Sequence, residues 1–293
     1  MARKDVRIGV SGWTYAPWRG VFYPKGLSQK RELAHASRRF RSIEINGTFY
    51  SQQTPTSFGH WYDETPEDFV FAVKAPRFIT HIRRLREVEV PLANFWASGV
   101  LRLEAKLGPL LWQLPPSFRF DADRLDKFFA MLPRDTAEAA RMGAGHDERL
   151  KGEPWLQVAR NRPLRHALEI RHDSFRDPAF IALLKKHGIA LVCADTVEWP
   201  RLMDLTADFV YCRLHGSEEL YRSRYPDAEL DRWAARVRAW ADGKPMRDGE
   251  FVLPPKGKEK ARDVFLFFDN TDKLHAPDDA HALMRRLGQA VPA

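Results

Sequence analysis

Eight short apolar runs recur along this chain, at 8–12, 42–46, 70–76, 108–115, 166–172, 190–195, 209–216 and 264–270. Each is strand-sized and rich in β-branched, aromatic or leucine side chains. Helix patterns lie between several of them. Ser28 opens the span 28–40 with a hydroxyl suited to an N-cap. Asp121 and Asp123 precede Leu125, Phe128, Phe129 and Leu132, which recur at helical spacing. Asp177 and Pro178 open a helix through His187 that Gly188 ends. Leu230, Trp233, Val237 and Trp240 share one face of 228–241, and a last helix pattern covers 278–287. Strands alternating with helices demand parallel βαβ units, and eight of them close into a (β/α)8 barrel of the TIM type. The competing doubly wound open sheet wants a Gly-rich phosphate turn after its first strand, and Ser11-Gly12-Trp13 is not one. The long stretches 133–165 and 244–263 each precede a strand, so both are expected at the amino-terminal face, which serves stability more than chemistry.

With 293 residues, 44% of them hydrophobic, the chain can bury a large core, and 1–293 reads as a single barrel domain. No stretch approaches the roughly 20 apolar residues of a membrane helix. The polar start runs straight into a strand, which argues against a signal peptide. Cys193 and Cys212, the two cysteines, each sit in an apolar run, as reduced buried thiols of a cytoplasmic protein would. The net charge of +8 favours anionic partners, a small ligand or nucleic acid, although much of the excess is dispersed in runs such as 256–262.

Side chains alternate across a strand, so each run sorts into two faces. Ile43 and Ile45 oppose Glu44 and Asn46; Leu168 and Ile170 oppose Glu169 and Arg171; Val210, Cys212 and Leu214 oppose Tyr211, Arg213 and His215. The apolar set must meet the surrounding helices, so the polar set points into the barrel. This gathers Ser11, Glu44, Asn46, Lys74, Gln113, Glu169, Arg171, Asp195, Arg213, His215 and Asn270 near the carboxyl ends of the strands, where barrel active sites are built. The plainer reading is a buried ionic layer in which three carboxylates, three cations and a histidine pair off. Burial costs several kcal/mol per ion before pairing, which favours a pocket.

The loops after these strands add rings and bases. Trp13, Tyr15, Trp18, Phe22 and Tyr23 follow the first strand, and Phe49 and Tyr50 the second. His81 follows the third among Arg77, Arg83, Arg84 and Arg86, and Tyr221, Arg222, Arg224 and Tyr225 follow the seventh. Aromatic faces stack on sugars or bases, and arginine forks bind phosphate oxygens in pairs. Taken singly, each ring is better read as a plug of the barrel mouth.

Glu169, His215, Asp195, Lys74 and Glu44 are the candidate catalytic groups. Arg171, Arg213, Asn46, Gln113, Asn270, Trp13, Tyr50, His81, Tyr221, Arg222 and Arg224 are the candidate ligand contacts. His215 suits acid–base work near neutral pH, and Lys74 suits a Schiff base if neighbouring cations lower its pKa. No cofactor is implied. A divalent metal is an option on Glu169, Asp195 and His215, but Arg171 and Arg213 can neutralise the carboxylates instead.

Several segments together carry a family resemblance: Ser11-Gly12-Trp13 with Phe22-Tyr23-Pro24, Glu44-Ile45-Asn46 with Thr48-Phe49-Tyr50, and Phe71-Ala72-Val73-Lys74 with Thr80-His81. Gln113-Leu114-Pro115-Pro116, Glu169-Ile170-Arg171-His172, Arg213-Leu214-His215-Gly216 and Phe268-Asp269-Asn270 complete it. The chain resembles the YecE-like family, a domain of unknown function numbered 72 (DUF 72). The resemblance implies a TIM-type barrel and no particular reaction, cofactor or substrate. Likeness of such barrels to metal-dependent endonucleases is fold-level analogy. A multi-zinc site needs more histidines than His215 inside and His81 in a loop.

Three functions are therefore expected to compete. The first is an enzyme-like pocket for a small anionic ligand, phosphate- or sugar-containing, with acid–base chemistry. The second is a nucleic-acid-binding or repair protein using the same mouth, and the third a non-catalytic barrel scaffold.

Overall fold

The structure is a computed structural model describing residues 4–216, 224–270 and 274–291. Eight parallel strands close into one barrel in sequence order: β1 (Val6–Ser11), β2 (Ser42–Ile45), β3 (Val70–Lys74), β4 (Leu107–Gln113), β5 (His166–Glu169), β6 (Ala190–Asp195), β7 (Phe209–Leu214) and β8 (Asp263–Phe268). β8 pairs with β1 through Val6–Val264 to Val10–Phe268, which removes both sheet edges. Gly9 permits the close β1–β2 approach, because a Cβ there would lie 1.8 Å from the Ser42 carbonyl oxygen. On β4, Pro109 cannot donate to the ladder, and the β3–β4 register slips there between Phe71–Leu107 and Val73–Leu110.

Alternation sorts the core into two layers. Ile8, Val10, Ile43, Val73, Trp112, Leu168, Cys193, Cys212 and Leu266 join the layer under the helices. Ala72, Leu111, Ala167, Val192, Phe209, Tyr211, Phe265 and Phe267 fill the barrel itself. The filling is apolar toward the strand starts and becomes polar at their carboxyl ends. Cys193 and Cys212 are register partners on neighbouring strands, buried and free.

The helices follow the strands, mostly as their signals require. α1 (Glu32–Ala36) is shorter than the helix expected from Ser28 to Phe40, and the Ser28 hydroxyl makes no cap bond. Its first turn is anchored instead by Glu32, which accepts from Arg19 Nε at 2.8 Å. α2 (Gly47–Tyr50), α3 (Pro55–Glu64) and α4 (Glu89–Ala97) come next. Asp121 caps α5 (Ala122–Met131), and α6 (Thr136–Gly143) follows, capped by Asp135. Asp177 caps α7 (Pro178–His187), which Gly188 ends at φ 64°. α8 (Asp227–Asp242) and α9 (Ala276–Arg286) complete the ring. Among the described residues no helix is long and apolar enough to cross a membrane.

Two segments depart from a plain barrel. No helix joins β6 to β7. Met203 N donates to Glu250 O at 2.8 Å, and the Asp204 carboxylate accepts from Val252 and Leu253 N at 2.9 and 2.7 Å, so residues after α8 help cover β6. The stretch 133–165 begins and ends at the amino-terminal face, where Asp135 pairs with Pro163. Its middle climbs beside α4 until Lys151 N donates to Gln52 Oε1 at 2.7 Å, beyond the end of β2.

Candidate functional site

Arg213 occupies the centre of the barrel at the inward face of β7 and is 1% exposed. Its Nε and Nη2 donate to the two oxygens of Glu44, each at 3.0 Å. Nη2 also donates to Asp269 Oδ2 at 2.6 Å. Nη1 donates to Glu169 Oε2 at 2.7 Å and lies 3.4 Å from His215 Nε2. Burial opposes the charge on this guanidinium, but Glu44, Asp269 and Glu169 together hold its pKa well above the ordinary value.

The carboxylates are held as firmly. Glu44 also accepts from Ser11 Oγ at 3.0 Å and from the Tyr211 hydroxyl at 2.6 Å, and Tyr211 is kept protonated by burial and by Glu44 itself. Glu169 accepts from Gln113 Nε2 at 2.8 Å and from Arg171 Nε at 2.8 Å. Burial works against its ionisation, yet Arg213 and then Arg171 hold it far below the usual carboxylate range. His215 Nδ1 lies 3.3 Å from Asp269. Burial, assisted by Arg213, lowers the His215 pKa against the pull of Asp269, favouring a neutral ring at neutral pH.

Lys74 stands apart from this closed network. It is 6% exposed, at the end of β3, and its amine lies 4.2 Å from the centre of the Phe49 ring. Among the described residues no hydrogen-bond acceptor or carboxylate pairs with it. Burial first, then Arg213, pushes its pKa down to about 8, with Glu169 and Glu44 opposing. Phe49 packs edge-on against His81, whose pKa falls to about 4 through burial and the nearby Lys74 and Arg171. His81 is therefore neutral at pH 7, with Nδ1 2.9 Å from Thr80 Oγ1. Arg171 stacks its guanidinium 4.2 Å from the Trp199 ring, and Trp199 also meets His215 edge-on. Asn46 makes no side-chain cap bond to α2, and among the described residues its buried Oδ1 has no partner.

Other expected residues lie elsewhere. Asp195 shares the outward parity of Leu191 and Cys193, and its oxygens accept from Arg201 Nη1 at 2.8 Å and the Tyr225 hydroxyl at 2.9 Å. The expectation that it points into the barrel is corrected. Asn270 likewise turns outward, donating to Asp279 Oδ2 on α9 at 2.9 Å. Trp13 packs edge-on against Trp61 of α3, and Tyr50 is 71% exposed outside the mouth. Arg224 lies 3.6 Å from Asp279 and is not directed at the central cluster. The Gly216 amide donates to the Tyr225 hydroxyl at 3.0 Å. Tyr221 and Arg222 lie outside the described residues. With Asp195 turned away, Glu169, Asp195 and His215 do not converge, and among the described residues no group of three metal-ligating side chains does.

Three members of the site were missed as candidates. Tyr211 and Asp269 both follow from alternation, since Phe265, Phe267 and Asp269 share the inward face of β8. Trp199 carries no periodic signal, because it sits in the irregular β6–β7 connection.

The profile of the family described as "Protein of unknown function DUF72" matches residues 7–293. The chain is 24% identical over 307 aligned positions to the UPF0759 protein YecE of Escherichia coli (strain K12), covering 98% of this chain and 94% of that protein. It is 33% identical over 121 positions to the UPF0759 protein YunF of Bacillus subtilis (strain 168), covering 39% and 41%. Among solved structures, a DUF72 family protein of Thermotoga maritima MSB8 superposes with a TM-score of 0.72 at 24% identity, covering 97% of this chain and all of that one. A DUF72 family protein of Enterococcus faecalis V583 gives 0.67 at 15% identity, covering 99% and 100%. At these identities the likeness shows the fold.

Proposed function

The chain belongs to the DUF72 family, and from its barrel mouth we propose that it binds a small anionic ligand, phosphate- or sugar-containing, and carries out acid–base chemistry on it through Lys74. The observation that carries this reading is the Lys74 amine: nearly buried, in the field of Glu169, Glu44 and Asp269, yet paired with none of them. Such a charge is expensive to keep without a partner, and a bound anion would supply one.

Arg213 has a different part in this reading. Its donors are committed to Glu44, Glu169 and Asp269, so it fixes the floor of the site and leaves ligand contact to others. Arg171 uses Nε and Nη2 on Glu169 and keeps further N–H groups for a ligand oxygen. Neutral His81 and the unpartnered Oδ1 of Asn46 supply uncharged hydrogen-bonding groups, and Trp199 and Phe49 supply ring faces. A lysine with a pKa of about 8 exchanges its proton near neutral pH, as a general acid or base must.

A thermal-shift series with inorganic phosphate, sugar phosphates and nucleotides tests the reading. A ligand that binds only the folded state must raise the melting temperature by mass action. The shift should appear for the parent chain and be much reduced in Lys74→Met. Anion-dependent shifts that persist unchanged in Lys74→Met would remove the basis of the proposal.

A further inference from the structure

A second cavity opens beside the mouth, on the far side of Phe49, with a volume of about 520 Å³. It lies between α2, the loop after β3, α4 and the climbing segment at 147–151. Phe49, Phe78, Ile79, Val90, Pro91 and Phe95 supply its apolar wall. Tyr50, Phe78 and Val90, three of the eight large apolar side chains left exposed among the described residues, all line it.

Its charged rim is unbalanced. Arg83 is paired with Glu87, and Asp147 is held by Asn94 Nδ2 at 2.7 Å, with Arg149 beside it at 4.0 Å. Arg77 and the Lys151 amine, both on the lining, have no carboxylate or hydrogen-bond partner among the described residues. The walls are fixed in advance. Asn94 and Asp147 bond reciprocally, Asp147 N donating to Asn94 Oδ1 at 3.0 Å, and Gln52 clamps the backbone of Lys151. The loop after β3 is a π-turn, Phe78–Ile82, followed by positive φ at Arg84, Leu85 and Glu87 (52°, 64° and 49°). Non-glycine residues adopt such angles at a cost, and both features concentrate at binding sites.

We propose that this groove binds a small molecule with an apolar or aromatic body and one anionic end, the body against Phe78, Val90 and Phe95 and the anion at Arg77 and Lys151. The volume is that of a pocket for one drug-sized ligand, too small for a docked helix. The site is separate from the barrel mouth and does not depend on the role given to Lys74. The two share Phe49, whose ring meets the Lys74 amine and lines the groove.

Titration of the full chain with 8-anilinonaphthalene-1-sulfonate, followed by dye fluorescence, tests it. The double reversal Arg77→Glu with Lys151→Glu alters exposed side chains and should leave the melting temperature unchanged. Dye affinity should fall at least about tenfold, since attraction at both rim positions becomes repulsion. Val90→Arg should fill the groove and abolish binding, while Lys74→Met should bind the dye as the parent does. Dye affinity unaltered by the double reversal, or lost on Lys74→Met alone, would overturn the proposal.

Discussion

Arg213 and Glu44 are joined across the barrel by two parallel hydrogen bonds of 3.0 Å, although β8 and β1 separate their strands in the sheet. The pair is therefore a cross-brace as well as a site feature. Truncating Arg213 strands Glu44, Glu169 and Asp269, which are all buried, without their common partner. Arg213→Met should accordingly lower the unfolding free energy by about 3–5 kcal/mol. Arg171→Met removes a partly exposed partner from Glu169, which keeps Arg213 and Gln113, and should cost about 1 kcal/mol or less. Urea midpoints at a constant m-value compare the two. Equal losses would mean that Arg213 is no hub.

Lys74 should behave in the opposite sense. Its folded pKa, about 8, lies below the ordinary lysine value of 10.5. Between those values the folded chain binds fewer protons than the unfolded one, so stability should rise as pH rises through that window. Below about pH 8 the full cost of the buried ammonium is present, on the order of 3 kcal/mol from a shift of this size. Lys74→Met keeps the volume and removes the charge, so it should stabilise the fold at pH 7, with the gain fading toward pH 10.5. A destabilised Lys74→Met at pH 7 would show that the amine has a structural partner.

Most of the inner floor could be read from alternation, because Tyr211, Arg213 and His215 continue one face of a strand whose other face is plainly apolar. Glu44 and Glu169 followed by the same rule. Asp195 and Asn270 depart from the expectation because parity outweighs strand-end polarity: Asp195 follows Leu191 and Cys193 outward, and the inward place at the end of β8 belongs to Asp269. The groove was not legible at all. It exists because a segment near residue 150 reaches Gln52 through contacts about a hundred positions apart in the chain, and no local period encodes such contacts.

Asp279 offers a separate test of the outward-turned network. Buried on α9, it accepts from Tyr225 N at 3.1 Å and Asn270 Nδ2 at 2.9 Å, and burial raises its pKa to about 6. A carboxyl raised in this way retains a proton in the folded chain after the unfolded chain has released it. Its contribution to stability therefore falls as pH rises from about 4 to about 6 and stays reduced above that. Asp279→Asn preserves an acceptor oxygen and cannot ionise. Relative to the parent, it should gain on the order of 3 kcal/mol between pH 4 and pH 7. Urea unfolding at the two pH values gives the difference directly, and an identical difference at both would contradict the assigned burial effect.

The proposed anion site has its own pH signature, best read with sulfate, which remains a dianion across the range. The Lys74 ammonium is the titrating contact, so sulfate affinity by calorimetry should hold from pH 6 to about 7.5. It should then decline through pH 8, approaching tenfold per unit above it as the amine loses its proton. His81 should add nothing to the profile, because its pKa of about 4 keeps it neutral throughout. The Arg171 guanidinium supplies the residual affinity at pH 9. In Lys74→Met the profile should be weak and flat, and in His81→Gln it should keep the parent's midpoint. Sulfate affinity that is flat from pH 6 to 9 in the parent chain would place the anion on guanidinium groups alone, and Lys74 would lose its proposed role.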